Sequence, residues 1–337
     1  MKNEKKKYNN LSCYRMIAAI AILIFHLYFC MSNNNMTINL LSKGVQGLTL
    51  LSGFLYSQRK IDSIRGFYKK NIMKLITPVL WVFILTIAVT WAMHLMNPSR
   101  TMISFWFGYS SSGSLLFIYG NFWYIPMIII CYLMTPILAK AKKDKSPYLI
   151  LVIIIGIMLE LMLAGHNLYF PISFTIYTLG YFFGGLAGVY KKLTDDRYYP
   201  KDFMLSAIIF IICILLYYYL GLFMSGSVLS FFRNFIASLV GASSFFLFTL
   251  LFKPLNSLKL DNVFRHTDKI AYPFYLLNQI FSTGVFKIYA YNSLLISGIL
   301  ILITTAIFSF IIAYMDDYSR SLIRSFNNKK GKAYLEK

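Results

Sequence analysis

The sequence predicts an all-α fold: a polytopic membrane helical bundle of about ten transmembrane helices, with both termini in the cytoplasm. Three observations carry that expectation. The 337-residue chain is 58% hydrophobic and only 13% charged, with a mean hydropathy of +0.61. A soluble domain carries roughly a quarter of its residues as charges, so this composition names lipid as the main solvent and excludes an ordinary soluble enzyme. The apolar residues also fall in runs long enough to cross a bilayer, at about 20 residues each. Finally, the net charge of +21, from 33 Lys and Arg against 12 Asp and Glu, is unevenly shared between alternate loops. Such an excess belongs to cytoplasmic loops of membrane proteins and carries no implication of nucleic-acid binding.

The candidate spans lie near 11–31, 43–57, 72–95, 115–138, 147–165, 170–190, 203–224, 229–252, 270–288 and 293–315. The first is followed by Ser32-Asn33-Asn34-Asn35 with no small-residue cleavage pattern, so it reads as a retained helix and not as a secretory signal. The second is short and contains glycine. Threading the chain through these spans puts 29 basic residues on the N-terminal side and four on the other, namely Lys43, Arg100, Arg233 and Lys287. The positive-inside rule makes the first side cytoplasmic, in a multi-pass protein of the cell membrane. The expected organisation is a basic N-terminus over residues 1–10, a membrane domain over 11–315 and a basic tail over 316–337, with no soluble domain at either end. Cys13, Cys30, Cys131 and Cys213 stand singly, mostly in apolar runs, without metal or redox spacing.

Polar groups inside apolar spans cost several kcal/mol and mark candidate function. In the first span Arg15 and His26 are eleven residues apart, which returns them to nearly one helix face, roughly 16 Å apart along the axis. That face joins a cytoplasmic-side cation to an imidazole deeper in the membrane. The plainer alternative has Arg15 reaching lipid phosphates and His26 capping a helix contact. Glu160 is the acid well inside an apolar run, at a depth where it would orient the imidazole or make a structural hydrogen bond to a neighbouring helix. His94, His166 and His266 fall where water satisfies them, and no Cys/His cluster or HExxH motif is present, so no metal is expected. Gly180, Gly184 and Gly188 recur every fourth residue of the sixth span, a stripe suited to close helix packing. Six basic residues between Arg59 and Lys74 suit either anionic lipid headgroups or the phosphates of a nucleotide-like donor such as coenzyme A. No internal repeat or pair of matched broken helices, the common mark of secondary transporters, is evident.

Taken in order, these residues resemble the acyltransferase family 3 of integral membrane acyltransferases, which modify sugars of surface polysaccharide, peptidoglycan or lipopolysaccharide. The likeness covers almost the whole chain. The family's first span carries a basic residue and, eleven positions on, a histidine, as do Arg15 and His26. Gly44 to Phe54 is similar to its second span, Phe67 to Pro78 to its basic lead into the third, Phe122 to Pro136 to its Trp-initiated fourth helix, and Lys269 to Gln279 to its late signature. Two positions depart from the pattern. The paired arginines of the basic segment are replaced by Asn71 and Lys74, so part of the cation duty shifts to Lys70 or is lost, and the late signature's histidine is replaced by Asn278. Asparagine donates and accepts hydrogen bonds but takes no proton near neutral pH.

The resemblance implies acyl transfer, with acetyl-CoA as donor substrate, no tightly bound cofactor, and a carbohydrate hydroxyl as acceptor, on a polysaccharide or a lipid-linked sugar. It assigns catalysis to His26 and Arg15, to which the depth of Glu160 adds that residue as a candidate, and donor binding to Lys70, Asn71 and Lys74. Acceptor binding falls to Trp123, Tyr124 and Asn278, although Trp123 and Tyr124 equally suit interfacial anchors. Expected partners are the carbohydrate, membrane lipids and polysaccharide-synthesis machinery. A transporter or flippase of a polysaccharide precursor or small metabolite, or an inactive scaffold, uses the same polar interior without covalent chemistry.

Overall fold

A computed structural model describes residues 8–31, 36–96, 124–143, 155–156, 170–223, 227–258, 260–282 and 293–335. Among these the secondary structure is helical throughout. The helices are α1 (Asn9–Met31), α2 (Met36–Leu41), α3 (Gly44–Tyr56), α4 (Ile64–Met96), α5 (Tyr124–Lys143), α6 (Phe170–Gly185), α7 (Ala187–Thr194), α8 (Pro200–Phe223), α9 (Ser227–Leu251), α10 (Asp261–Ser282) and α11 (Leu294–Leu335), with a 3-10 turn at Lys253–Ser257. Among the described residues five helices are long and apolar enough to cross a membrane, within α1, α4, α8, α9 and α11, and the bent pair α6–α7 makes a sixth when counted as one broken span. The fifth expected span, 147–165, lies outside the described residues apart from Ile155 and Gly156.

Several boundaries differ from the expected ones, each for a local reason. The basic segment before the third span is not a loop, because α4 begins at Ile64 and runs 33 residues. Its Lys and Arg are good helix formers, and the glycine among them, Gly66, falls in the first turn, where its N–H donates to Ser63 Oγ at 3.2 Å. The tail after the last span is likewise helical, and α11 extends 42 residues to Leu335. Arg320 and Asp316, one turn apart, pair across the point where it passes residue 316. The expected glycine stripe is interrupted, since the chain bends 88° between α6 and α7. Gly188 therefore belongs to α7, with nothing within 4 Å of the position of an added methyl.

The chain divides into two units: Met1–Tyr68 with Tyr124–Asp268, and Lys69–Trp123 with Lys269–Lys337. In the first unit, α1, α3, α6, α7 and α9 share a core that includes Tyr14, Leu50, Phe54, Ile176, Leu193 and Phe245. Short α3 lies inside, with nine of its thirteen residues buried. It measures about 20 Å, less than the roughly 30 Å of the hydrocarbon layer. It packs chiefly on α6 through glycines on both sides: a methyl on Gly53 would overlap the Tyr177 carbonyl, and one on Gly180 the Leu50 carbonyl. Small residues allow this backbone approach, the main source of helix association where lipid removes the hydrophobic driving force. At the end of α3 the Lys142 Nζ donates to the Ser57 carbonyl at 2.9 Å, satisfying a terminal acceptor.

The second unit comprises α4 from Lys69, α10 from Lys269, and α11. Trp81 Nε1 donates to Ser319 Oγ at 3.0 Å, Lys269 pairs with Asp317 at 2.6 Å, and Phe281 meets Phe308 with ring centroids 5.3 Å apart. Pro78 in α4 and Pro273 in α10 sit inside their helices, as neighbouring helices permit in membrane proteins.

Candidate functional site

Helix α1 carries the candidate site of the first unit. It runs unbroken from Asn9 to Met31, so Arg15 and His26 do share a face. Ala19 and Leu23 lie between them on that stripe and are 1% and 3% exposed. The stripe therefore faces protein and not lipid. Arg15 and His26 are each half-buried, and the His26 ring meets Phe25 edge to face with centroids 5.1 Å apart.

Arg15 is held by a residue that the sequence reading did not single out. Its Nη1 donates to Asp268 Oδ1 in an ion pair with side-chain exposures of 28% and 21%, and Ser12 Oγ, one turn earlier, donates to Asp268 Oδ2 at 2.9 Å. Both carboxylate oxygens are thus occupied from α1, which fixes the guanidinium's position. A guanidinium has five N–H donors, and among the described residues Asp268 is the acceptor this one uses. The remaining donors, on a partly exposed group, are available to a phosphate or another oxyanion.

The foot of α1 is anchored differently. Asn10 Nδ2 donates to the carbonyls of Leu193 at 2.9 Å and Thr249 at 3.1 Å, its backbone N–H donates to Asn256 Oδ1 at 3.0 Å, and Asn9 Nδ2 reaches the carbonyls of Leu255 and Leu258. Beyond these carbonyls Lys253, 1% exposed, pairs with Asp195 at 2.6 Å, donates to the Lys192 carbonyl and lies 4.1 Å over the Tyr199 ring. Tyr199 in turn donates to Asp195 Oδ2 at 2.6 Å. Burial raises the Asp195 pKa, but hydrogen bonds from Lys253 and Tyr199 and the Lys253 charge outweigh it and leave it below its ordinary 3.8. Burial, only partly offset by Asp195, lowers that of Lys253. Asn9 and Asn10, expected in a basic N-terminal segment, are in fact buried parts of the bundle.

The other expected site residues are dispersed. Tyr124 is not presented at a membrane surface as a sugar platform or an anchor. It is buried at the start of α5, and its hydroxyl bonds Ser52 and Thr49 of α3, because a buried phenol needs polar partners. In the second unit Lys70 and Lys74 are exposed one turn apart on α4, whereas Asn71 faces inward at 2% exposure. The Lys74 charge is felt by Asp316 of α11. Asn278 is fully buried within α10. Glu160 and Trp123 lie outside the described residues. Among the described residues no three His, Cys, Asp or Glu side chains gather as a metal site.

Comparison with known families adds one finding. A family model described as an acyltransferase domain, that of acyltransferase family 3, matches residues 8–315. No curated protein and no solved structure matches the chain.

Proposed function

The chain belongs to acyltransferase family 3 and is a membrane acyltransferase; on that premise we propose that it transfers an acetyl group from acetyl-CoA to a hydroxyl of a cell-surface polysaccharide or its precursor. In this reading the acceptor hydroxyl gives its proton to His26 as its oxygen bonds to the thioester carbonyl carbon. The tetrahedral oxyanion then collapses, the carbon–sulfur bond breaks, and the proton passes from His26 to the departing thiolate. The base is needed because a sugar hydroxyl is a poor nucleophile at neutral pH.

Arg15 has a separate task. Roughly 16 Å of helix separates it from His26, too far for it to stabilise an oxyanion forming beside the imidazole. Donor phosphates at the cytoplasmic end fit that distance, because coenzyme A carries its charge at one end of a long arm and its thioester at the other. The observation that carries this reading is the Arg15–Asp268–Ser12 cluster: a guanidinium fixed in place with donors to spare. Asp268 is then a positioning residue. Lys70 and Lys74, exposed on one face of α4, are further candidates for the donor's phosphates.

The test is the acetate content of surface polysaccharide in a deletion strain complemented with wild-type or His26→Ala protein at matched membrane levels. Restoration by wild type alone is expected. Equal restoration by both would remove His26 from the chemistry, and no restoration by either would favour transport without acyl transfer.

A further inference from the structure

A cavity of about 260 Å³ lies in the first unit beneath α7, away from the Arg15 cluster's side chains. Its walls come from four helices: Phe183 of α6, Val189 and Leu193 of α7, Leu205 and Ile209 of α8, and Phe246 of α9. The lining is mostly apolar: beside the charged pair at one end its polar residues are Ser206 and Ser243, and the Ser243 hydroxyl already donates to the Val240 carbonyl. The volume also falls below the roughly 300–1,000 Å³ of sites that enclose a drug-sized ligand. A section of hydrocarbon chain suits both its size and its chemistry.

Two features identify the source of that chain. Only 11% of the span in α8 is buried, so α8 borders the lipid phase. Leu205 and Ile209 line the cavity while remaining 56% and 45% exposed, which makes the cavity continuous with the bilayer. The other feature is charge. At the polar end Lys192 pairs with Asp202 at 2.7 Å, and both line the cavity. Lys191, Arg197 and Lys201 are exposed beside them and take part in none of the ion pairs among the described residues. The basic-residue asymmetry assigns this end to the cytoplasmic face, where basic pockets between membrane helices collect anionic headgroups. The 88° bend before α7 lays that short helix across the line of α6, so Val189 and Leu193 roof the cavity.

We infer that the cavity beneath α7 binds one acyl chain of an anionic membrane phospholipid, whose phosphate rests among Lys191, Lys192, Arg197 and Lys201. The site is independent of the acyl-transfer reading, and its occupancy is measured without reference to activity.

The test begins with the full-length wild-type protein in nanodiscs containing phosphatidylglycerol with a photoactivatable acyl chain. Cross-links are expected in the segments around Phe183, Leu205 and Phe246; cross-links confined to other segments would overturn the site. Native mass spectrometry then counts retained phospholipid. Wild type is expected to hold one phosphatidylglycerol at least about fivefold more strongly than phosphatidylcholine, the factor that one cation near an anionic surface supplies. Ser206→Trp, or the milder Ile209→Phe, fills the cavity and is expected to remove that lipid. Lys191→Ser with Lys201→Ser is expected to abolish the preference while leaving a lipid bound. Equal retention of the two lipids by wild type, or unchanged retention in a filled variant with wild-type melting behaviour, would overturn the proposal.

Discussion

Two polar clusters sit within two turns of each other on α1, and they are built on opposite plans. At the foot, Asn9 and Asn10 are buried and bonded to four carbonyls and a side-chain amide oxygen. The adjoining Lys253 ammonium has a carboxylate, a carbonyl and an aromatic face around it. Arg15, about a turn and a half further on, is partly exposed and uses one carboxylate. Burying polar groups costs free energy unless their hydrogen bonds are made inside the protein. A cluster of this kind therefore holds the bundle together, with most of its donors used inside the protein; Asn9 Oδ1 and Asn256 Nδ2 are buried in it without a hydrogen-bond partner among the described residues. An open one keeps donors in reserve and is tied down by a second residue, the arrangement that binding a charged substrate requires.

The sharpest way to break this contrast is at the far end of the open stripe. His26→Ala is expected to lower acyl transfer by about 10²-fold or more, the usual contribution of a general base, with little change in the melting temperature in detergent. The next largest effect falls on the closed cluster. Asp195→Asn leaves the buried Lys253 ammonium without its counter-charge and is expected to cost about 3 kcal/mol of stability, the low end for breaking a buried pair because Asp195 is partly exposed, while activity per folded molecule is unchanged. Its pH dependence has a definite sign. The folded pKa of Asp195 lies below its ordinary 3.8, so the pair's stabilisation is full above that value and is lost as pH falls through the folded one. The melting difference between wild type and Asp195→Asn should hold constant near neutral pH and shrink below about pH 4.

Arg15→Ala is expected to raise the KM for the acyl donor by roughly tenfold or more, and Arg15→Lys to recover part of it, because an ammonium lacks the planar fork. Asp268→Asn is expected to act in the same direction by a few-fold, with kcat little altered, since it frees the guanidinium without removing it. A stability loss with an unchanged KM would make this cluster structural, like the one at the foot. The smallest effects test the glycines. Gly188→Ala should be silent, as nothing lies within 4 Å of the added methyl, whereas Gly180→Ala drives a methyl into the Leu50 carbonyl and should lower the melting temperature clearly.

Much of this was legible from spacing alone. Arg15 and His26 stand eleven apart on an apolar run, so a continuous helix obliges them to share a face. The short, glycine-bearing second span became α3, within one residue of its expected limits at either end. Asp268 was not legible: it lies 253 residues from Arg15, in a polar stretch where nothing marks it apart from its neighbours. Lys253 looked like any loop cation, and only its burial against Lys192, Asp195 and Tyr199 shows otherwise. Tyr124, read as a surface ring beside Trp123, turned inward because α3 supplied hydroxyl partners for its phenol. Gly188 kept the four-residue spacing of Gly180 and Gly184, but the bend at Leu186 took it off their face, and no periodicity in the sequence announces that bend.

The amino-acid sequence by itself determined the helical membrane character of this protein, the asymmetric placement of its cations, and the alignment of a cation with an imidazole along one helix. Those properties depend on composition and on hydrogen bonds between residues four apart, which each segment satisfies locally. The tertiary structure alone decided which polar groups are closed off and which remain open, that Asp268 holds Arg15, and that a cavity lies beside α8 with Leu205 and Ile209 in its lining. Those outcomes depend on partners hundreds of residues away, because a buried donor is completed by whichever acceptor the packing of other helices brings to it.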